Sequence, residues 1–205
     1  MSSPTETKPV VEEEFDFLAF WIQHKRTVLF LSLLLVTGLL IFAIFQFTQH
    51  RAREAAARDF ANAKTVEELR NVVTAHGSSA VAGNALLLIA EKLRGENKLD
   101  ESNAALKQLI EKHPNHPLIS GAWMSLAVNL EAQDKTDEAL VNYQKIVATY
   151  PASFSAPSAL MAQARIYAAK GKVDEAKRAY ESVISQYGDN ILARMAMQEN
   201  SRLKK

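Results

Sequence analysis

The segment WMSLAVNLEAQDKTDEALVNYQKIVATYP, residues 123–151, decides the fold of this chain. Its small residues Ala127 and Ala139 and its large residues Leu130 and Tyr143 lie at helical spacings from apolar neighbours. This spacing predicts two amphipathic helices joined by a short turn, with small side chains that let the two helices approach closely. Pro151 ends the second helix, because proline lacks the backbone donor that a helix needs. The segment therefore predicts a helical hairpin.

The hairpin occurs three times at a fixed offset of 37 residues, which is typical of a repeat protein. Trp123 aligns with Leu86 and Leu160, and the turns read KLDES, KTDEA and KVDEA. We expect Asn97 and Asp134 to cap the second helices, and we expect the acidic pairs that follow to stabilise the helix starts rather than to catalyse. The offset predicts repeats at 83–116, 120–153 and 157–190.

Helical segments flank the repeats on both sides. Residues 50–82 read as an Ala- and Arg-rich helical connector followed by a half-repeat, which a capping box at Thr65 and Glu68 opens. Residues 191–205 read as a C-terminal capping helix, which an open-ended solenoid needs for solubility. The part of the chain from residue 50 onward is therefore predicted to be one helical solenoid.

The N-terminal part has a different character. Residues 27–49 contain no charged residue and are long enough to cross a bilayer as a helix. Residues 1–26 form an acidic tail, predicted to be disordered, with an aromatic segment next to the apolar run. A buried core helix and a cleaved signal peptide are the alternatives. A buried core helix rarely runs this long without a charged residue, and a cleaved signal peptide has a shorter apolar stretch and a basic N-terminal region. We predict a single transmembrane helix at 27–49, contacting the lipid bilayer.

Composition excludes several classes of function. The chain has 205 residues, 24 Lys and Arg against 23 Asp and Glu, and no cysteine. It therefore lacks disulfides, cysteine nucleophiles and Cys-ligated metal sites, and its net charge of +1 gives no reason to expect a nucleic-acid partner. His113 and His116 have metal-ligand spacing, but no third ligand lies near them in the sequence. We predict no catalytic residue, no metal and no cofactor, and expect a protein that is not an enzyme.

The repeat resembles the tetratricopeptide repeat (TPR), whose signature is W-x2-L-G-x2-Y, then A-x3-F, then P. The middle unit matches it at Trp123, Leu126, Ala127, Leu130, Ala139, Tyr143, Ile146 and Pro151. The resemblance implies an all-α solenoid whose first helices line a concave protein-binding face. In TPR domains that clamp acidic tails, a lysine and an asparagine stand where Leu87 and Glu91 stand here, which argues against such a tail as ligand. The implied partner-binding residues are Asn84, Leu87, Glu91, Arg94, Met124, Val128, Glu131, Met161 and Arg165.

The layout of the whole chain resembles the ancillary subunit family of the bacterial SecYEG translocon, and the repeat domain also resembles that of the Tol-Pal cell-division coordinator. The first resemblance implies an inner-membrane protein with a cytoplasmic N-terminus and a periplasmic TPR domain that assists translocation or periplasmic chaperoning. Its partners are then translocon subunits, envelope chaperones or their clients. A structural scaffold of an envelope or cell-division complex is the alternative. The basic residues that follow the apolar run favour a cytoplasmic TPR domain, so the orientation stays open.

Overall fold

A computed structural model describes residues 17–203, apart from the side chain of Ala19. Residues 1–16 of the predicted N-terminal tail lie outside this range, as do Lys204 and Lys205. Residues 17–26, which the prediction included in this tail, are helical. Every regular element within the described range is helical, so the all-α prediction is confirmed. The helices are α1 Phe17–Asn62, α2 Val66–Ala75, α3 Ala80–Gly95, α4 Leu99–Lys112, α5 Ile119–Ala132, α6 Thr136–Thr149, α7 Ala156–Ala169, α8 Val173–Gln186 and α9 Ile191–Arg202.

The chain divides into two compact units, one ending at Ala52 and the other beginning at Arg53. In the first unit the side chains from Leu29 to Phe47 are all exposed, although nearly all are apolar. Helix α1 contains a window with a mean hydropathy of 2.9, none of which is buried. By length and composition this helix is able to cross a membrane.

In the second unit each helix from α2 to α9 packs against the next helix along the chain. Three hairpins follow one another, formed by α3 and α4, by α5 and α6, and by α7 and α8. The small residues at the helix crossings are 3% exposed or less, as close helix packing requires. They are Ala90, Ser102, Ala127, Ala139, Ala164 and Ala176.

The turns inside the hairpins differ from the prediction. Asn97 and Asp134 do not cap the second helices, because they adopt the left-handed conformation with φ of 59° and 60°, as Gly171 does with 71°. Each of the three residues ends the first helix in a Schellman motif, in which the following backbone N–H donates to a carbonyl five residues earlier. The N–H of Lys98 reaches the carbonyl of Leu93 at 2.8 Å. Asparagine, aspartate and glycine recur at this position because they tolerate the left-handed region.

The capping box at the start of α2 is confirmed. The Thr65 hydroxyl accepts from the N–H of Glu68 at 3.2 Å, and the Glu68 carboxylate accepts from the N–H of Thr65 at 3.0 Å. The same carboxylate accepts from the N–H of Lys64 at 2.6 Å. These backbone donors stabilise the charged form, so they hold the pKa of Glu68 below its usual value.

The acidic residues that open the second helices also tie neighbouring repeats together. Gln133, in the turn of the second repeat, donates to Asp100 of the first repeat at 2.8 Å. Lys170, in the turn of the third repeat, forms an ion pair with Asp137 of the second repeat. The hydrogen bond and charge of Lys170 hold the pKa of Asp137 below its usual value. The repeated aspartates therefore link repeats as well as favouring helix starts.

Candidate functional site

The residues expected to bind a partner lie on the first helices of the hairpins, α3, α5 and α7. The structure groups eight of them at two cavities. Met124, Val128, Glu131, Met161 and Arg165 line the larger one, and Leu87, Glu91 and Arg94 line the smaller one. Asn84, which is half-buried in α3, lines neither cavity.

The larger cavity, which we call the methionine groove, has a volume of about 530 Å³ and lies between the second and third repeats. Met124 and Val128 from α5 and Met161 from α7 supply its apolar lining. Methionine is unbranched and polarizable, so such a surface adapts to apolar side chains of different shape. The groove therefore offers an adjustable apolar contact rather than one fixed specificity pocket.

Glu131 and Arg165 form the polar part of the methionine groove. Nη2 of Arg165 donates to both carboxylate oxygens of Glu131, at 2.9 and 2.6 Å. The buried hydroxyl of Tyr143 donates to the same carboxylate at 2.6 Å. Burial, followed by this hydrogen bond, raises the pKa of Tyr143, so the tyrosine stays a neutral donor. The cluster neutralises its own charge and joins the second repeat to the third.

The smaller cavity, which we call the Asn129 pocket, has a volume of about 130 Å³ and lies between the first and second repeats. Asn129, on α5, is 1% exposed, and its Nδ2 donates to Ser102 at 2.8 Å and to Asn103 at 2.9 Å. Ser102 in turn donates to the carbonyl of Ala90 at 2.7 Å. This chain of hydrogen bonds holds Asn129 in one orientation and joins α5 to the first repeat.

The histidines with metal-ligand spacing have structural contacts. His116 is buried, and its Nε2 donates to the carbonyl of Ala80 at 3.1 Å, while its Nδ1 accepts from the N–H of Leu118 at 3.2 Å. Burial, aided by the charges of His116 and Lys112, lowers the pKa of His113. Both ring nitrogens of His116 are thus engaged by the backbone, so this histidine positions the loop between the first and second repeats.

A family model for the tetratricopeptide repeat-like domain matches residues 18–200. The chain belongs to this family. The predicted TPR fold is thereby confirmed, and a protein-interaction module is the general role that such a domain supports.

Several solved structures share the fold of this chain. A putative kinesin light chain with nearly identical TPR-like repeats, from Podosopora anserina, is 20% identical with a TM-score of 0.55, covering 75% of this chain and 84% of that chain. A crystal structure of MamA is 18% identical with a TM-score of 0.52, covering 60% and 67%. MamA residues 41-end from Desulfovibrio magneticus RS-1 are 12% identical with a TM-score of 0.51, covering 76% and 92%. A search of curated proteins found no match.

Three kinds of cavity-lining residue escaped the sequence analysis. Tyr143 and Tyr180 line the methionine groove from the second helices, whereas the repeat pattern assigns them to the core. Asn129 stands between Val128 and Leu130 in an otherwise apolar part of α5, and this polar interruption is the signal that could have identified it. Ser158 and Glu199 also line the methionine groove, and no pattern in the sequence marks them.

Proposed function

We propose that this protein is a membrane-anchored adaptor that holds extended peptide segments of other proteins in the methionine groove. The observation that carries the proposal is the side-by-side placement of Met124, Val128 and Met161 along one cavity of about 530 Å³. Cavities of this size accommodate side chains of a bound segment, and flexible methionines suit several sequences. We propose no catalytic role for the cavity.

The charges of the methionine groove support an uncharged, apolar segment as the ligand. Arg165 is satisfied by Glu131, and Glu199 by Arg202 at 2.6 Å. Because these cations already have carboxylate partners, a ligand carboxylate gains less from them than it would from an unpaired cation. Apolar segments are exposed by proteins that have not yet folded, so this preference suits a role in translocation or chaperoning.

We propose that residues 27–49 anchor the protein in the bacterial inner membrane, with the N-terminus cytoplasmic and the TPR domain periplasmic. The uncharged stretch and its exposed apolar side chains in α1 support the anchor. The role that we propose is assistance to protein translocation or periplasmic chaperoning at the SecYEG translocon, which rests on the resemblance in layout. The alternative is a scaffold of an envelope or cell-division complex.

A photo-crosslinking amino acid at Met124 of the full chain in living cells tests the groove. The matched control carries the same group at Val141, which is exposed on α6 and does not line the groove. We expect crosslinks to translocon subunits or unfolded clients from Met124 and not from Val141. Crosslinks to division proteins would favour the scaffold, and equal crosslinking from both positions would remove the groove from the proposal.

Labelling an introduced cysteine tests the orientation, since the chain has none of its own. Ala152 is exposed in the loop between the second and third repeats, whereas the hydroxyl of the neighbouring Ser153 is buried. In intact cells with a permeabilised outer membrane, we expect A152C to react with a maleimide that does not cross the inner membrane. Protection that disappears on lysis would place the TPR domain in the cytoplasm and overturn the periplasmic proposal.

A further inference from the structure

The Asn129 pocket holds three polar groups that have no hydrogen-bond or ion-pair partner among the described residues. The Oδ1 atom of Asn129 is buried without a partner. The carboxylate of Glu91 and the guanidinium of Arg94 stand on one helix, α3, at the same cavity, and neither pairs with the other or with another described group. Glu91 and Arg94 are exposed, so only the Asn129 oxygen is buried. Native proteins rarely leave a buried polar atom unpaired, so this oxygen indicates a group that is supplied from outside.

The orientation of the Asn129 side chain determines which further hydrogen bonds it can form. Both of its Nδ2 hydrogens are used, by Ser102 and by Asn103, so its remaining capacity is that of an acceptor. Exchanging the amide oxygen and nitrogen would place an oxygen against the Asn103 oxygen, which excludes the flipped orientation. A ligand at Asn129 must therefore bring an N–H or O–H donor.

The free groups of the pocket match a carboxamide. Asn129 and Glu91 are two acceptors, and Arg94 is a donor, whereas the –CONH2 group has two N–H donors and one carbonyl acceptor. A carboxylate lacks a donor for Asn129 and is repelled by Glu91. An ammonium group leaves Arg94 unpaired and is repelled by it, and a hydroxyl supplies a single donor. A volume of about 130 Å³ admits one such side chain and excludes a whole peptide running through.

The Asn129 pocket and the methionine groove are lined by neighbouring residues of α5. Ser125 lines the pocket and directly follows Met124 of the groove, and Val128 of the groove directly precedes Asn129. An extended segment in the groove thus brings neighbouring side chains to the mouth of the pocket. We propose that the Asn129 pocket binds the side-chain amide of an asparagine or glutamine in the peptide that occupies the methionine groove. This inference rests on the proposed peptide-binding function.

Selection from a peptide library tests this proposal. The full chain in lipid nanodiscs is exposed to displayed random dodecapeptides, with empty nanodiscs as background. Peptides retained by the wild type should be enriched in Asn or Gln at one position relative to their apolar residues. N129L, similar in size but without the acceptor, should lower this enrichment by about two- to tenfold, the effect of one hydrogen bond.

Two further variants keep the test independent of the folding of N129L, since Asn129 belongs to a buried network. R94M removes the donor from an exposed position, and it should lower the enrichment as N129L does. K92M is the matched control, because Lys92 lies on the same helix without lining the pocket, and it should leave the enrichment unchanged.

The outcomes separate the two proposals. If the retained peptides show no enrichment in Asn or Gln, the carboxamide site is overturned and peptide binding remains supported. The same conclusion follows if the enrichment is equal on the wild type, N129L and R94M. No retention above empty nanodiscs would overturn peptide binding, and the carboxamide site with it.

Discussion

At the scale of single residues, Tyr143 joins the core of the second repeat to the polar cluster of the groove. Its ring is 1% exposed, yet its hydroxyl reaches the carboxylate that Arg165 also binds. One side chain therefore contributes to packing and positions Glu131. The TPR signature marks this position as large and apolar, and a phenylalanine would satisfy the packing alone.

We expect Y143F to lower the free energy of unfolding by about 1.5–3 kcal/mol, because it removes a hydrogen bond to a charged acceptor. Chemical denaturation of the full chain in detergent micelles measures the effect. Y167F is the matched control, since the Tyr167 hydroxyl accepts from Gln144 at an exposed site, and it should change stability by no more than about 0.5 kcal/mol. Equal effects of the two variants would show that the Tyr143 hydroxyl contributes no net stability.

We expect G83A to destabilise the protein by about 1–3 kcal/mol through overpacking. A Cβ at this position lies 2.5 Å from Cδ2 of His116, whose ring is held by Ala80 and Leu118 and cannot move away. Chemical denaturation again provides the measurement. A Cβ at Gly95 meets no atom within 4 Å, so G95A should stabilise helix α3 by up to about 1 kcal/mol. If G83A were as stable as the wild type, the loop carrying His116 would have to be free to move.

At the scale of helices and turns, the sequence predicted periodic features better than local backbone conformation. The offset of 37 residues located the hairpins, because buried small and large residues recur with the helices that carry them. The turn residues Asn97 and Asp134 were misassigned as helix caps, since asparagine and aspartate favour both a cap and the left-handed conformation. Gly171 at the same place in the third repeat was the available signal, because glycine favours left-handed turns and is a weaker cap.

The candidate site was less predictable than the hairpins. Repeat position assigned Met124, Met161 and Arg165 to the first helices of their hairpins, and they lie on α5 and α7. Whether they bind a partner stays a prediction. Repeat position could not show that Glu131 pairs with Arg165, since both are charged surface residues whose pairing depends on side-chain reach between repeats. Pairing between repeats is a three-dimensional property that spacing along one helix does not determine.

We expect the capping box of α2 to make the free energy of unfolding decrease as the pH falls. The pKa of Glu68 is lower in the folded state than in the unfolded chain, so its contribution is full above the unfolded value near 4.5 and is lost as the pH falls through the folded value. E68Q should therefore lose less stability than the wild type between about pH 6 and about pH 3. Thermal unfolding across this range measures the difference. E67Q, in the same first turn, is the control and should follow the wild type.

At the scale of the whole molecule, the second unit is stabilised by contacts between successive helices, so its ends have fewer neighbours than its middle. Helix α9 packs mainly against α8, and Ile191, Met195 and Met197 remain exposed on it. The Oδ1 atom of Asn200 is buried there without a partner. We therefore expect the C-terminal end to be the less stable part of the hairpin series.

Hydrogen exchange measured by mass spectrometry should show that stability decreases toward the C-terminal end of the second unit. We expect amides of α9 to exchange faster than those of α5, because an end helix opens with fewer contacts broken. The measurement uses the full chain in nanodiscs under native conditions. Uniform protection from α5 to α9 would mean that the second unit opens only as a whole.

The two connections between repeats differ in chemistry. The first includes the neutral hydrogen bonds of Asn129 with Ser102 and Asn103. The second includes ion pairs with an exposed member, Glu131 with Arg165 and Asp137 with Lys170. Dissolved ions screen exposed charges over about 3 Å at 1 M and leave neutral hydrogen bonds almost untouched. High ionic strength therefore weakens these ion pairs and leaves the hydrogen bonds of Asn129 almost unchanged. Raising the salt concentration is therefore expected to weaken the polar contacts that border the methionine groove more than those around Asn129.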